Sequence, residues 1–211
     1  MENLHWFGHD SFRLDGEKII YFDPYQVPQK SALADIILVT HEHYDHCSPD
    51  DLKIISGPKT TIIASAQAAE VIKKAQIVCQ KLEVVKPSDE IEAFGIKIRA
   101  VPAYNIGKQF HPKSSLKVGF IITAGGLKIY HAGDTDFIPE MKDCRADIAL
   151  MPVSGTYTMN ATEAADAVLV INPKIAVPMH YGSVVGSIDD AKRFQNLLKG
   201  KIEVKILSKE S

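Results

Sequence analysis

Short apolar runs recur along this chain, broken by glycines, prolines and polar clusters, and their spacing predicts the elements. Near the N-terminus, stretches 4–7, 11–14 and 18–22 are aromatic or β-branched and are separated by Gly8 and Asp15-Gly16, which reads as three strands. Ile36-Ile37-Leu38-Val39-Thr40 reads as a buried strand. Ser48-Pro49-Asp50-Asp51 then opens a helix. The serine can cap, proline fits the first helical position, and the acids suit the positive end of the helix dipole. Further strands are predicted over 60–64, 82–85, 91–94, 96–101, 118–123, 127–131, 148–153, 175–179 and 202–207, with helices over 66–75, 161–171 and 188–198. The polar stretch 104–115 reads as a long loop.

Both halves of the chain alternate sheet and helix in a similar order. That order predicts an α+β fold in which two sheets pack face to face with helices outside, a four-layer αββα sandwich. With 211 residues and no linker or low-complexity segment, 1–211 is expected to form a single domain.

Charge narrows the function. The balance of 24 basic against 26 acidic residues, with no basic tract, argues against a generic nucleic-acid or membrane-surface partner. No apolar run approaches the roughly 18 residues of a membrane span. The N-terminal Met-Glu-Asn-Leu-His-Trp has neither the basic nor the apolar region of an export signal. Cys47, Cys79 and Cys144 are odd in number and form no CxxC pair, which fits a reducing compartment, so a cytoplasmic protein is expected.

Titratable residues collect where the apolar strands end, which is where a scaffold hands residues to loops. Phe22-Asp23-Pro24 closes one strand and Thr40-His41-Glu42-His43-Tyr44-Asp45-His46 another. His131-Ala132-Gly133-Asp134 and His180-Tyr181-Gly182 close two later ones. Imidazole and carboxylate together suit zinc, iron or manganese. The spacing of two in His41-x-His43 points both imidazoles the same way from extended backbone. Asp45 and His46 begin the turn into the helix and can aim at a second point nearby. Two cations would use the whole set, whereas one would leave some groups without a partner. Glu42 and Tyr44 fall on the other side of the alternation and are not expected to bind metal.

A solvated loop is the plainer explanation for any single histidine or aspartate. It fails for His41, His43, Asp45 and His46 together, because burying several of them unpaired would be costly. Alone, Asp134 reads as a turn residue after Gly133 and His180 as a loop histidine before Gly182. The joint pattern lifts both. Cys47 reads as a small buried thiol.

HxHxDH after an apolar strand, Gly-Asp after a later one and a late histidine after a third resemble the metallo-β-lactamase superfamily, in that family's order from Asp23 to His180. Trp6-Phe7-Gly8-His9, Tyr130-His131-Ala132-Gly133-Asp134-Thr135 and Pro178-Met179-His180-Tyr181-Gly182 are similar to a branch of small bacterial and archaeal hydrolases. Relatives of that branch include ascorbate-6-phosphate lactonases and N-acyl-phosphatidylethanolamine phospholipase D. The resemblance implies His41 and His43 as ligands of a first metal, and Asp45, His46 and His180 as ligands of a second. It implies Asp134 as the bridge between them and Asp23 as support from behind. One position departs from the pattern: Tyr104-Asn105 stands where the family expects a third histidine on the first metal. His111, in Gln109-Phe110-His111-Pro112, is the candidate that the 104–115 loop can fold back into that role. His9, in a Gly-His turn, is expected behind the ligands. His131 is expected either there too or as a satisfied core histidine.

The implied protein is a hydrolase with two divalent cations, Zn²⁺ first, with Mn²⁺ or Fe²⁺ as alternatives. Two such cations about 3.5–4 Å apart hold a bridging water and lower its pKa from 15.7 toward roughly 7. The hydroxide would attack an ester, lactone or phosphodiester of a small-molecule substrate, with Asp45 as the catalytic residue that orients it and moves a proton. Lys108 and Lys113 could bring positive charge to an anionic substrate. The alternative is a non-catalytic metal-binding or ligand-sensing protein that keeps the fold, and Tyr104 is its main support.

Overall fold

Strand β4 (Ile36–Val39) shows how the layers arise in the computed structural model, which describes residues 3–210. Met1 and Glu2, part of the stretch read for an export signal, and Ser211 lie outside the described residues. Ile36 and Leu38 face a core that includes Ile63, Phe120 and Ile122. Ile37 and Val39 face a second core with Leu52, Ile55 and Ile72. Alternation on the pleated strand sends neighbours to opposite faces, and burial of both faces removes any polar positions.

The first sheet runs in chain order through β1 (Leu4–Gly8), β2 (Ser11–Leu14), β3 (Ile20–Phe22), β4, β5 (Thr61–Ser65) and β6 (Lys81–Val85). The second runs through β7 (Glu90–Ala93), β8 (Ile96–Pro102), β9 (Val118–Ala124), β10 (Leu127–His131), β11 (Ile148–Pro152), β12 (Ile175–Met179) and β13 (Glu203–Val204). Each begins antiparallel and turns parallel, at β3–β4 and at β10–β11. Side chains such as Phe12, Phe22, Leu38, Phe120, Ile129 and Leu150 fill the space between the sheets. Helices α1 (Pro49–Ile55) and α2 (Ala66–Lys74) cover the first sheet. Helices α3 (Ala161–Ile171) and α4 (Ile188–Leu198) cover the second, completing the αββα sandwich that the element order predicts.

Local signals hold where they were strongest. Ser48 accepts a hydrogen bond from Asp51 N at 3.3 Å and caps α1, as expected. Cys47 is buried against α2, and burial pushes its thiol up to about 12. The end of the chain differs from the prediction. The strand expected over 202–207 pairs with β12 only over Glu203–Val204. The chain then crosses to the open edge of β1, where Lys209 bridges Trp6 and Glu210 N donates to Trp6 O at 2.8 Å. An unpaired strand edge presents free backbone groups, and the tail satisfies one of those on β1, Trp6 O. A short 3-10 turn at Pro139–Asp143, absent from the sequence reading, buries Met141 in the core.

The C-terminal ends of β3, β4, β10, β11 and β12 carry Asp23, the HxHxDH segment, Asp134, Ser154 and His180. Among the described residues no helix is long and apolar enough to cross a membrane.

Candidate metal centre

Two groups of donor side chains meet at these strand ends, each with its atoms within 4.8 Å of one another. His41, His43, His111 and Asp134 form the first; His9, Asp10, His46 and His180 form the second. Gly133 lets the two strands that carry them approach. Its φ is 63°, and a Cβ there would stand 3.1 Å from Thr40 Cγ2.

In the first group, His43 Nδ1 lies 3.1 Å from His41 Nε2 and 3.2 Å from His111 Nε2. Asp134 Oδ2 lies 3.7 Å from both Nε2 atoms. A tetrahedral Zn²⁺ with bonds of about 2.0–2.1 Å separates its ligands by about 3.3–3.4 Å, so these atoms are spaced as one cation requires. Asp134 turns its other oxygen to the second group, where Oδ1 lies 3.3 Å from His46 Nε2 and from His180 Nε2. Asp10 Oδ2 lies 3.4 Å from His46 Nε2 and 3.9 Å from His180 Nε2. Asp45 stands at the rim, with Oδ2 3.9 Å from His46 Nε2 and 2.9 Å from His9 Nε2. The latter contact has the length of a hydrogen bond without its direction.

Among the described residues, both ring nitrogens of His9, both carboxylate oxygens of Asp10, His46 Nε2 and Asp134 Oδ1 are buried without a hydrogen-bond partner. Each such atom costs about 1–3 kcal/mol, more when charged. Of these, His9 Nε2, Asp10 Oδ2, His46 Nε2 and Asp134 Oδ1 converge on one spot, which fits a cation and does not fit a packed core. The mixed imidazole and carboxylate donors suit Zn²⁺, Mn²⁺ or Fe²⁺.

Groups behind the donors fix which ring nitrogen faces the centre. Thr40 donates its hydroxyl proton to Asp23 Oδ2 at 2.7 Å, so its oxygen is left to accept from His41 Nδ1 at 3.0 Å. Asp23 also accepts from Thr40 N at 2.8 Å and holds His46 Nδ1 at 2.8 Å. Ser154 Oγ lies 2.8 Å from His180 Nδ1. In each case the partner occupies Nδ1 and leaves Nε2 to the centre, the usual arrangement behind metal-binding imidazoles. The backbone is strained at the same positions. His9, Asp23, His111 and His180 have φ of 52°, 41°, 56° and 60°, a left-handed conformation that costs of order 1–3 kcal/mol outside glycine.

Charge follows this packing. Burial lowers the imidazoles of His41 and His111, the latter down to about 4. At His46 burial acts the same way, yet Asp134 and the bond to Asp23 outweigh it and hold the ring protonated well above its usual range. His180 is raised likewise, with Asp134 and Asp10 outweighing burial. Burial would raise Asp134 and Asp45, but facing imidazoles hold both well below the carboxylate range: His180 and His46 for Asp134, His9 and His46 for Asp45. For Asp10 burial dominates and raises it. The folded centre therefore demands positive charge, and protons on His46 and His180 supply it in the absence of a cation.

His111 reaches the first group although Tyr104 stands at the expected histidine position. Tyr104 turns away, its hydroxyl donating to Glu140 Oε2 at 2.9 Å. Asn105 folds the loop back: Asn105 N donates to His111 O at 2.8 Å, and its Nδ2 lies 3.3 Å from His111 Nδ1 and donates to Tyr157 O at 2.7 Å. Asp136 latches the same loop, accepting from Ile106 N at 2.7 Å and pairing with Lys108.

The sequence-derived residues thus come together, with shifts in position. His41, His43, His46, His111, Asp134 and His180 all lie in the two donor groups, Asp45 at their rim and Asp23 directly behind. His9, expected behind the ligands, stands among the donors. His131 is a satisfied core histidine: its ring stacks on Phe22 at 5.3 Å, and Nε2 lies 2.9 Å from Asp10 O. Glu42 pairs with Lys117 at 2.6 Å, and Tyr44 is exposed, both clear of the donors. Sequence reasoning missed Asp10, Ser154 and Asn105. A signal existed for Asp10, a second titratable residue beside His9 at the end of β1.

Comparison with known proteins agrees with this geometry. A family model, the beta-lactamase superfamily domain, matches residues 3–180. The chain is similar to a UPF0173 metal-dependent hydrolase of Thermoplasma acidophilum, 36% identical over 210 residues covering 93% of this chain and 92% of the relative. A UPF0173 metal-dependent hydrolase of Thermococcus onnurineus is 32% identical over 219 residues, covering 98% and 96%. Among solved structures, a protein of Parabacteroides distasonis proposed to be a metal-dependent hydrolase is 37% identical, with a TM-score of 0.83 and coverage of 96% and 91%. The metallo hydrolase Igni18 of Ignicoccus hospitalis shares the fold at 21% identity, with a TM-score of 0.77 and coverage of 99% and 95%. With a family model spanning most of its length and relatives matching nearly all of it, the chain belongs to the metallo-β-lactamase superfamily, among its metal-dependent hydrolases.

Proposed function

We propose that this protein is a dinuclear hydrolase, most simply of zinc, acting on an ester, lactone or phosphodiester bond. The observation that carries the reading is Asp134: one carboxylate oxygen faces the first donor group and the other faces the second. His41, His43 and His111 would hold one cation. His46, His180 and Asp10, with His9 and Asp45 beside them, would hold the other. Divalent cations bound there supply Lewis acidity and ease the deprotonation of water.

Asp45 is the carboxylate at the open side, 22% exposed in its side chain, and it lines the cleft above the donors. An ionised carboxylate at neutral pH, it accepts a hydrogen bond from the attacking water and orients it. Attack forms a bond to the carbonyl carbon or phosphorus, the bond to the leaving oxygen breaks, and Asp45 carries the proton toward that oxygen. His9 Nε2 lies 2.9 Å from the Asp45 carboxylate. The sensing alternative drew on Tyr104, and His111 Nε2 at 3.2 Å from His43 Nδ1 weakens it.

The test uses protein purified without chelator and assayed on phenyl acetate, δ-valerolactone and bis(4-nitrophenyl) phosphate. Turnover of at least one is expected, abolished by chelation and restored by Zn²⁺ or Mn²⁺. Wild-type turnover in Asp45→Ala would contradict the assignment.

A further inference from the structure

Above the donor groups lies a cleft of about 210 Å³ whose polar floor includes His43, Asp45 and Asp134 and whose walls are Phe110, Tyr157, Val184 and Val185. We propose that this cleft selects a compact substrate with an uncharged aryl or branched-alkyl group next to the scissile ester or lactone bond. Phosphorylated and other anionic substrates are the class it disfavours. The proposal rests on the hydrolytic reading above and narrows it.

The walls are not leftover core. Phe110, Tyr157 and Val184 are 39%, 48% and 53% exposed, and a cluster of uncovered large apolar side chains around a polar floor marks a recognition surface. The Phe110 and Tyr157 rings meet edge to face, with centroids 5.0 Å apart at 83°. Phe110 also lies edge-on to His43 at 6.3 Å. Both aromatics sit on braced loops, because Asn105 Nδ2 donates to Tyr157 O at 2.7 Å while the Asn105 backbone holds His111. Gly186 seats the valine loop: its φ is 67°, and a Cβ would fall 2.7 Å from Ser154 Cβ. A dry cavity of about 150 Å³ holds benzene, so this cleft takes one ring or branched chain plus the scissile group. Drug-sized ligands fill roughly 300–1,000 Å³.

Charge points the same way. Among the described residues, neither lysine nor arginine lines the cleft. Lys108 pairs with Asp136 and donates to Thr158 O at 2.7 Å, Lys113 pairs with Glu140 at 2.7 Å, and Lys117 pairs with Glu42 at 2.6 Å. The Thr158 hydroxyl is buried and faces its own loop, 3.4 Å from Ser154 Oγ and Met159 O. At the centre itself, Asp10, Asp45 and Asp134 offset most of the charge of two divalent cations, which leaves little to attract a dianion. A charged group pushed between Phe110, Tyr157 and Val184 would lose its hydration without gaining a partner.

The test measures binding, independent of turnover. Zinc-loaded protein is titrated calorimetrically with acetohydroxamic acid, benzohydroxamic acid and 4-carboxybenzohydroxamic acid, which share one metal-binding head. Benzohydroxamate should bind at least tenfold tighter than acetohydroxamate, and the 4-carboxyl group should remove that gain. Phe110→Ala should weaken benzohydroxamate about fivefold with acetohydroxamate and metal content unchanged. Val184→Lys should reverse the order in favour of the carboxylated probe. Equal or tighter binding of the carboxylated probe to wild type, no gain from the ring, or no binding of any probe would overturn the proposal. If the probes rank as expected but no ester is cleaved, the hydrolytic reading fails and the cleft assignment stands. If esters are cleaved while the carboxylated probe binds as well as its parent, the reverse holds.

Discussion

The two donor groups share Asp134 and differ in construction. His9, Asp10, His46 and His180 of the second group are wholly buried. His9, Asp10 and His180 directly follow strand ends, His46 lies in the turn before α1, and Asp23 and Ser154 brace two of the four. The first group draws His43 from a half-buried position and His111 from the 104–115 loop. That loop stays folded through Asn105 and the Asp136 latch. Affinity depends on how far the donors are preorganised before a cation arrives. The second group is therefore expected to hold its ion tightly, and the first to hold a more exchangeable one beneath the open cleft.

The sharpest way to break the contrast is Asp134→Ala, which removes the shared carboxylate. Both ions should be lost, and turnover should fall by about 10³-fold or more, beyond the 10–100-fold typical of residues that only brace a ligand. Metal analysis with a kinetic assay reads both effects. Next in size is His111→Ala, which should strip the first group alone and leave about one ion per chain. Loss of both ions in that variant would show that the groups are not separable. Bracing changes come third. Ser154→Ala should weaken the second group and Asp136→Asn the first, each by about 10–100-fold in metal affinity. Competition with a chromogenic chelator measures this, and equal effects on both groups in either variant would erase the distinction.

The smallest expected effect is on pH. The raised pKa of His46 and His180 stabilises the metal-free fold fully below about 6.5, the ordinary imidazole value. That gain fades as pH rises through the raised folded values. A cation must displace the same protons. The rise in Tm on adding Zn²⁺ should therefore grow between pH 6 and pH 8, by calorimetry at matched ionic strength. A rise in Tm that shrinks over that range would contradict the charge assignment.

Much of this was legible in the sequence because the decisive residues are continuous with apolar strands. His41, His43, Asp45 and His46 follow the uniformly buried β4, so their contact with one another is nearly dictated by extended backbone and a single turn. Asp134 and His180 were readable by the same strand-end logic. Asp10 carries only a weak local signal beside His9, because the Gly8-His9 turn accounts for that stretch, and the partners that give Asp10 a purpose, His46 and His180, are distant in sequence. His111 was legible as a candidate but not as an outcome. Its position depends on a hydrogen bond that Asn105 N donates to His111 O and one that Asp136 accepts from Ile106 N, which no periodicity encodes. The tail residues suit β structure, which predicts a long strand over 202–207, whereas the open edge of β1 decides where they pair.

The central claim is that one carboxylate joins two cation sites of unequal strength. Its most direct measurement is metal stoichiometry by mass spectrometry on protein purified without chelator and titrated with Zn²⁺. The account predicts two ions per chain binding in distinct steps, with the weaker step absent in His111→Ala and the tighter one retained. Saturation at one ion per chain in the wild type would contradict it.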